Sequence, residues 1–122
     1  MIKSFEISGL KYQKPRELTV HVISKKPFSV AASNHPRRRD AILDTYNVLR
    51  KGHFDTPGAM KAVFSSLDNF KYKDKWWVID IGGNNLRLIA AILFSNQKVF
   101  VKHIVTHAEY DKLCTRYRKG DM

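Results

Sequence analysis

A chain of 122 residues with 43% hydrophobic side chains has the length for one domain and the apolar content for an ordinary packed core. Its single cysteine, Cys114, excludes an intramolecular disulfide and a cysteine-based zinc cluster. No run approaches the ~20 apolar residues of a membrane span, and the first residues lack the apolar segment of a signal peptide, so the cytoplasm is the expected location, with no membrane partner. Twenty-two Lys and Arg against eleven Asp and Glu give a formal charge of +11, which by itself favours a polyanionic partner: nucleic acid, an acidic protein or an anionic membrane surface.

In chain order, residues 1–17 show no clear period and end in Lys14, Pro15 and Arg16. Thr19 to Ile23 alternates β-formers and is expected to be a short strand. Pro27 suits the first turn of a helix reaching about Asn34, where Pro36 forces a break. A second helix is expected over Arg37–Lys51, with Ile42, Tyr46 and Leu49 at helical spacing and Gly52 as its stop. The result is a helical hairpin whose outer face is basic. Trp76 to Ile81 reads as a strand, Gly82-Gly83-Asn84 as a turn, and Leu86 to Phe94 as an almost wholly apolar strand suited to the middle of a sheet. Ser95-Asn96-Gln97 turns the chain into a third strand over Lys98–Val105. Thr106 and Glu109 form a capping box that opens a final helix, whose buried stripe is Tyr110, Leu113, Cys114 and Tyr117. A strand, a helical hairpin, an antiparallel meander and a closing helix make a two-layer α+β domain.

Three segments taken together resemble a known family: Lys61 to Lys71 (KAVFSSLDNFK), Gly82 to Ile89 (GGNNLRLI) and Thr106 to Lys112 (THAEYDK). Their order and spacing are similar to HigB toxins of type II toxin–antitoxin loci, in the RelE-like group of mRNA interferases. The resemblance covers about Val20 to Lys119. It implies a RelE-like α+β domain over residues 20–119, with residues 1–19 as a poorly ordered N-terminal extension. It also implies an endoribonuclease that cuts translated mRNA on the ribosome and so inhibits translation, with no metal and no other cofactor. The implied partner is a HigA-like helix-turn-helix antitoxin, and operator DNA would be bound only through their complex. The alternative on the same scaffold is a non-enzymatic basic module that binds RNA or the ribosome. Ser65 departs from the proline that relatives often carry.

RNA cleavage without a metal requires a base for the ribose 2′-OH, a cation for the phosphorane and an acid for the departing 5′-oxygen. Arg87, just past a turn and on the face of Ile89, Ala91 and Leu93, is the candidate cation; the same side chain could instead bridge Asp80 across the hairpin. His107, in the first turn of the last helix, combines an anion-favouring position with a side chain suited to proton transfer, or it packs against the sheet. Tyr110 lies one turn later on the same face, where it can bond ribose or phosphate or serve as core. These three are the candidate catalytic residues. Lys61, Lys71 and Asn84 are the candidate RNA contacts, although exposed lysines and a turn asparagine also have purely structural uses. Asp111 is expected to point elsewhere as a solvated charge. His103 is expected to share a face with Val99, Val101 and Val105 and to be satisfied and partly buried. His21, His35 and His53 show no metal-ligand spacing.

Overall fold

A computed structural model describes residues 21–22, 24–83 and 85–120; the expected extension over residues 1–19, and Asn84, lie outside them. The first strand, β1 (His21–Val22), leads into α1 (Lys26–Asn34), which carries its proline in the first turn and buries Phe28, Ala31 and Ala32 along one face. Pro36 interrupts the helix as expected. It also starts a short 3-10 turn, Pro36–Arg38, so α2 begins at Arg39 and runs to Lys51. Ile42 and Leu49 of α2 are buried, and Tyr46 packs its ring on Phe28 at 5.1 Å. Gly52 ends α2 in extended backbone (φ −82°, ψ 166°), not in a left-handed cap. Its function there is space: a Cβ would stand 2.5 Å from the Phe54 ring.

Two elements escaped the sequence reading. Helix α3 (Pro57–Lys61) is capped by Thr56, whose hydroxyl accepts from the Ala59 N–H at 3.1 Å. Strand β2 (Asp68–Asn69) pairs with β3 (Trp76–Ile81). Then follow β4 (Leu86–Leu93), β5 (Lys98–Thr106) and α4 (His107–Arg118). The sheet order is β1-β5-β4-β3-β2. The meander β2 to β5 is antiparallel as expected, whereas β1 joins its edge parallel to β5, pairing His21 with Lys98 and Val22 with Val99.

The apolar strand β4 does occupy the centre of the sheet, with both faces covered. On one face the helical hairpin closes the main core, in which Phe28, Ile42, Leu49, Ile79, Leu88 and Ile92 meet. On the other face α4 lays its expected stripe of Tyr110, Leu113, Cys114 and Tyr117 over Phe70, Val78 and Ile89, although the stripe is only partly buried because nothing described covers the outer side of α4. The two-layer core therefore gains a partial third layer. A β-bulge changes the facing within β5: Ile89 of β4 pairs with His103 while Ala90 pairs with Val101, leaving Lys102 as the extra residue. Val99 and Val101 pack with the hairpin core, and His103 turns to α4. The expectation that His103 shares a face with Val99 and Val101 fails for that reason. Gln97, at φ 56°, closes the β4–β5 turn with its side chain buried. Its Nε2 donates to the carbonyls of Phe54 (2.6 Å) and Phe94 (2.7 Å), and its Oε1 accepts from the Phe54 N–H (3.1 Å).

Candidate active site

Strand pairing assembles one corner of the molecule. Asp80 of β3 stands opposite Arg87 of β4, and Arg87 stands opposite Val105 at the end of β5. Position Arg87 thus lies beside the point where β5 becomes α4. The first turn of α4 is fixed by the expected capping box: Thr106 accepts from the Glu109 N–H (3.2 Å), and Glu109 accepts from the Thr106 N–H (2.8 Å). That bond from the backbone of Thr106 is the main reason the Glu109 carboxyl is held below the usual carboxylate range. A rigid turn aims the residue that follows the cap, His107.

Arg87 is the centre of the corner. Its Nη2 donates to His107 Nδ1 at 3.0 Å, its Nε lies 3.5 Å from Asp80 Oδ1, and its guanidinium sits 4.7 Å from the centroid of the Tyr110 ring. Phosphate-binding and carboxylate-bridging readings of Arg87 are therefore compatible: a half-buried guanidinium held by a carboxylate and a ring face keeps its fork pointed at the helix start. Because arginine only donates, His107 Nδ1 must accept with its lone pair, which places the proton of the neutral imidazole on Nε2. That Nε2 edge is 3.8 Å from Asp111 Oδ2, in an exposed setting. Asp111 does not point elsewhere; the i,i+4 spacing from His107 was the signal for it. The Tyr110 phenol is pushed up to about 12, first by burial and then by its contact with Cys114. Tyr110 thus stays protonated near neutrality and can donate a hydrogen bond, but cannot act as a base.

Arg87, His107 and Tyr110 are brought together; Lys61 and Lys71 make their own contacts elsewhere, and Asn84 lies outside the described residues. Lys61 donates to the Leu67 carbonyl at 3.4 Å, tying α3 to the loop that follows. Lys71 lies over the Tyr72 ring at 5.4 Å, and Tyr72 and Tyr110 both meet Phe70 edge-on. Next to the undescribed Asn84, Asn85 donates to the Gly82 carbonyl at 2.6 Å, a turn-holding contact in a stretch where Gly82 and Gly83 both have positive φ. His103 is satisfied and partly buried as expected: its Nε2 meets the Tyr117 hydroxyl at 2.9 Å. Desolvation, followed by Arg116 and Lys102, lowers its pKa. One contact had no sequence signal beyond a basic run: Arg38 lies over the hairpin turn, 3.4 Å from where a Cβ of Gly82 would stand. Among the described residues no three of His, Cys, Asp and Glu gather closely enough to hold a metal ion, and no helix is long and apolar enough to cross a membrane.

A small α+β domain with a basic, histidine-bearing corner is consistent with a ribonuclease-like toxin, and comparison with known proteins gives the class. The family profile for HigB toxins, described as the RelE-like toxic component of a toxin–antitoxin system, matches residues 38–113, a stretch that includes every member of the corner. Over 101 residues the chain is 51% identical to the mRNA interferase HigB of Escherichia coli O6:H1 (strain CFT073), a match covering 83% of this chain and 98% of that protein. Over 92 residues it is 42% identical to the mRNA interferase toxin HigB of Escherichia coli strain K12, covering 75% of this chain and 88% of that one. The chain belongs to the HigB family of RelE-like toxins.

Proposed function

We propose that this chain is the toxin of a type II toxin–antitoxin pair, an endoribonuclease that cleaves translated mRNA on the ribosome and so inhibits translation. The observation that carries this reading is the Arg87–His107–Tyr110 corner, where a fixed cation, an imidazole and a protonated phenol converge on one exposed spot. An arriving phosphate competes for the Arg87 fork, since a charged acceptor is a stronger partner than a neutral imidazole. As the phosphate takes over the Nη2 donor of Arg87, the Nδ1 lone pair of His107 is released and takes the proton of the ribose 2′-OH. The 2′-oxygen forms a bond to phosphorus as the bond from phosphorus to the 5′-oxygen breaks. The imidazolium then returns its proton to the departing 5′-oxygen, leaving a 2′,3′-cyclic phosphate and a neutral histidine. Arg87 neutralises the phosphorane, Tyr110 donates to one of its oxygens, and Asp111 faces the imidazolium from the Nε2 side. No step calls on a metal or cofactor.

Family membership supports an antitoxin partner; we infer a HigA-like helix-turn-helix protein, with operator DNA bound only by the complex, and a cytoplasmic site of action. Inducible expression tests the reading. Growth should arrest, and transcripts should be cut only while they are translated. Arg87→Ala should lower single-turnover cleavage by about 10²–10³-fold, the usual cost of deleting one fixed donor to a developing oxyanion, and His107→Ala should abolish it. Growth arrest with intact transcripts in both variants would overturn the nuclease and leave a non-enzymatic RNA- or ribosome-binding module.

A further inference from the structure

The same sheet face carries a second concentration of cationic and aromatic side chains that the corner does not use. The β2–β3 loop interleaves Lys71, Lys73 and Lys75 with Tyr72, Asp74 and Trp76, and lines a groove of about 770 Å³ in which three ammonium groups outweigh the one carboxylate. The bulge in β5 re-aims Lys102 to this side, where its ammonium stands 5.6 Å from the Trp76 ring centroid. Lys73 reaches the Tyr117 ring at 5.6 Å and the Trp76 ring at 6.0 Å, and Lys71 covers Tyr72. The rings are half-buried and held by Phe70, on which Tyr72, Trp76, Tyr110 and Tyr117 all pack within 6.3 Å. Tyr110, the ring beneath Arg87, is therefore in the same aromatic cluster as the groove.

We propose that this surface is an RNA-binding platform for unpaired nucleotides, which stack on Tyr72 and Trp76 while Lys71, Lys73 and Lys102 take their phosphates. It rests on RNA being the substrate, as proposed above, and adds where the strand runs outside the scissile phosphate. The chemistry is specific in kind. Rings held against a buried phenylalanine, Tyr72 edge-on at 79° and Trp76 tilted at 33°, offer stacking faces at little entropic cost, and every base has a face to stack. An ammonium over an exposed ring is held weakly, more weakly than a stacked base. An incoming base can thus displace the lysine, which moves to the adjacent phosphate. An acidic protein would need the lysines and not the rings.

The strand held there is the mRNA flanking the scissile phosphate; an unpaired segment of ribosomal RNA is the competing occupant, and two binding measurements separate them. One uses a single-stranded RNA oligomer made uncleavable by 2′-O-methylation; the other uses ribosomes stripped of mRNA. The variants are Tyr72→Ala, Tyr72→Phe and the double charge reversal Lys73→Glu/Lys102→Glu, the last at two exposed positions. Tyr72→Ala should weaken binding on the order of tenfold and Tyr72→Phe should restore it, as expected of one base–aromatic stack. The double reversal should flatten the dependence of log K on log salt by about 1.4, for two phosphates of a single strand. Effects on the oligomer support the platform as an mRNA site; effects confined to the ribosome would overturn it in favour of ribosomal RNA. Unchanged affinity and salt slope on both, from double-reversal protein that unfolds at the same temperature as the unaltered chain, would overturn the platform, as would loss of antitoxin binding alone. Because affinity is read on uncleavable RNA, a platform effect without cleavage by the unaltered chain would sink the nuclease alone.

Discussion

Tyr110 has two separable parts. Its ring faces the Arg87 guanidinium at 4.7 Å, and its phenol, held protonated by burial, is a donor. Tyr110→Phe keeps the ring and should cost about tenfold in single-turnover cleavage, the share of one hydrogen bond to a charged oxygen. Tyr110→Leu removes the face that aims Arg87 and should cost distinctly more, with weaker phosphate binding as well; equal losses in the two variants would show that the ring does not aim the arginine. The three members of the corner were legible in the sequence because each sits at or beside a punctuation mark, Arg87 after a glycine turn, His107 in a capped first turn and Tyr110 one turn later on the same face. Their mutual contacts were not. The bond from Arg87 to His107 depends on the register that sets Arg87 opposite Val105, and register is a long-range property that no local spacing encodes.

The elements recognised from sequence each carried a period or a clear boundary signal: alternation for β1 and β5, helical spacing for α2 and α4, prolines at either end of α1, and β-rich runs between turns for β3 and β4. Missed elements lacked one. Both residues of β2 are exposed, so it shows no apolar alternation, and α3 is a single turn announced only by its Thr-Pro start. The β5 bulge was hidden because Val99, Val101, His103 and Val105 look like an unbroken alternation. Its consequence is that His103 is partly buried between β5 and α4, against Tyr117, and that burial predicts a pH dependence. The folded state lowers the His103 pKa, chiefly by desolvation and then by Arg116 and Lys102, so the stability of holding a neutral imidazole there is present in full above the ordinary value of 6.5. It is lost as pH falls from there through the lowered folded value. Chemical unfolding at pH 7.5 and pH 5 should show this loss, and His103→Phe should lessen it. Gln97 gives a sharper test of packing. Gln97→Leu strands the N–H and carbonyl of Phe54, at about 1–3 kcal/mol, and should lower Tm by roughly 5–15 °C. An unchanged Tm would mean that the 52–56 loop is not pinned to the sheet through this side chain.

At the scale of the whole molecule, the net charge of +11 indicated only an anionic partner; the fold shows how it is distributed. Arg38 over the hairpin turn, Arg87 in the corner and the lysines of the β2–β3 loop belong to elements far apart in the chain. Composition could count these charges but not place them together. The corner has a further consequence, in time. Its arginine and its histidine are 20 residues apart, and the histidine follows every strand of the sheet. A chain still being synthesised can pair β2, β3 and β4 and present Arg87, yet it has no imidazole and no phenol until α4 leaves the ribosome. On the proposed function, the enzyme therefore cannot cut the message that is encoding it from within its own nascent chain. A stop codon placed after Val105 should give a product that neither arrests growth nor cleaves RNA, and supplying residues 106–122 as a separate peptide should restore measurable cleavage if the remainder of the sheet folds without them. Synthesis order alone would then delay the activity until the protein is ready for capture by its antitoxin.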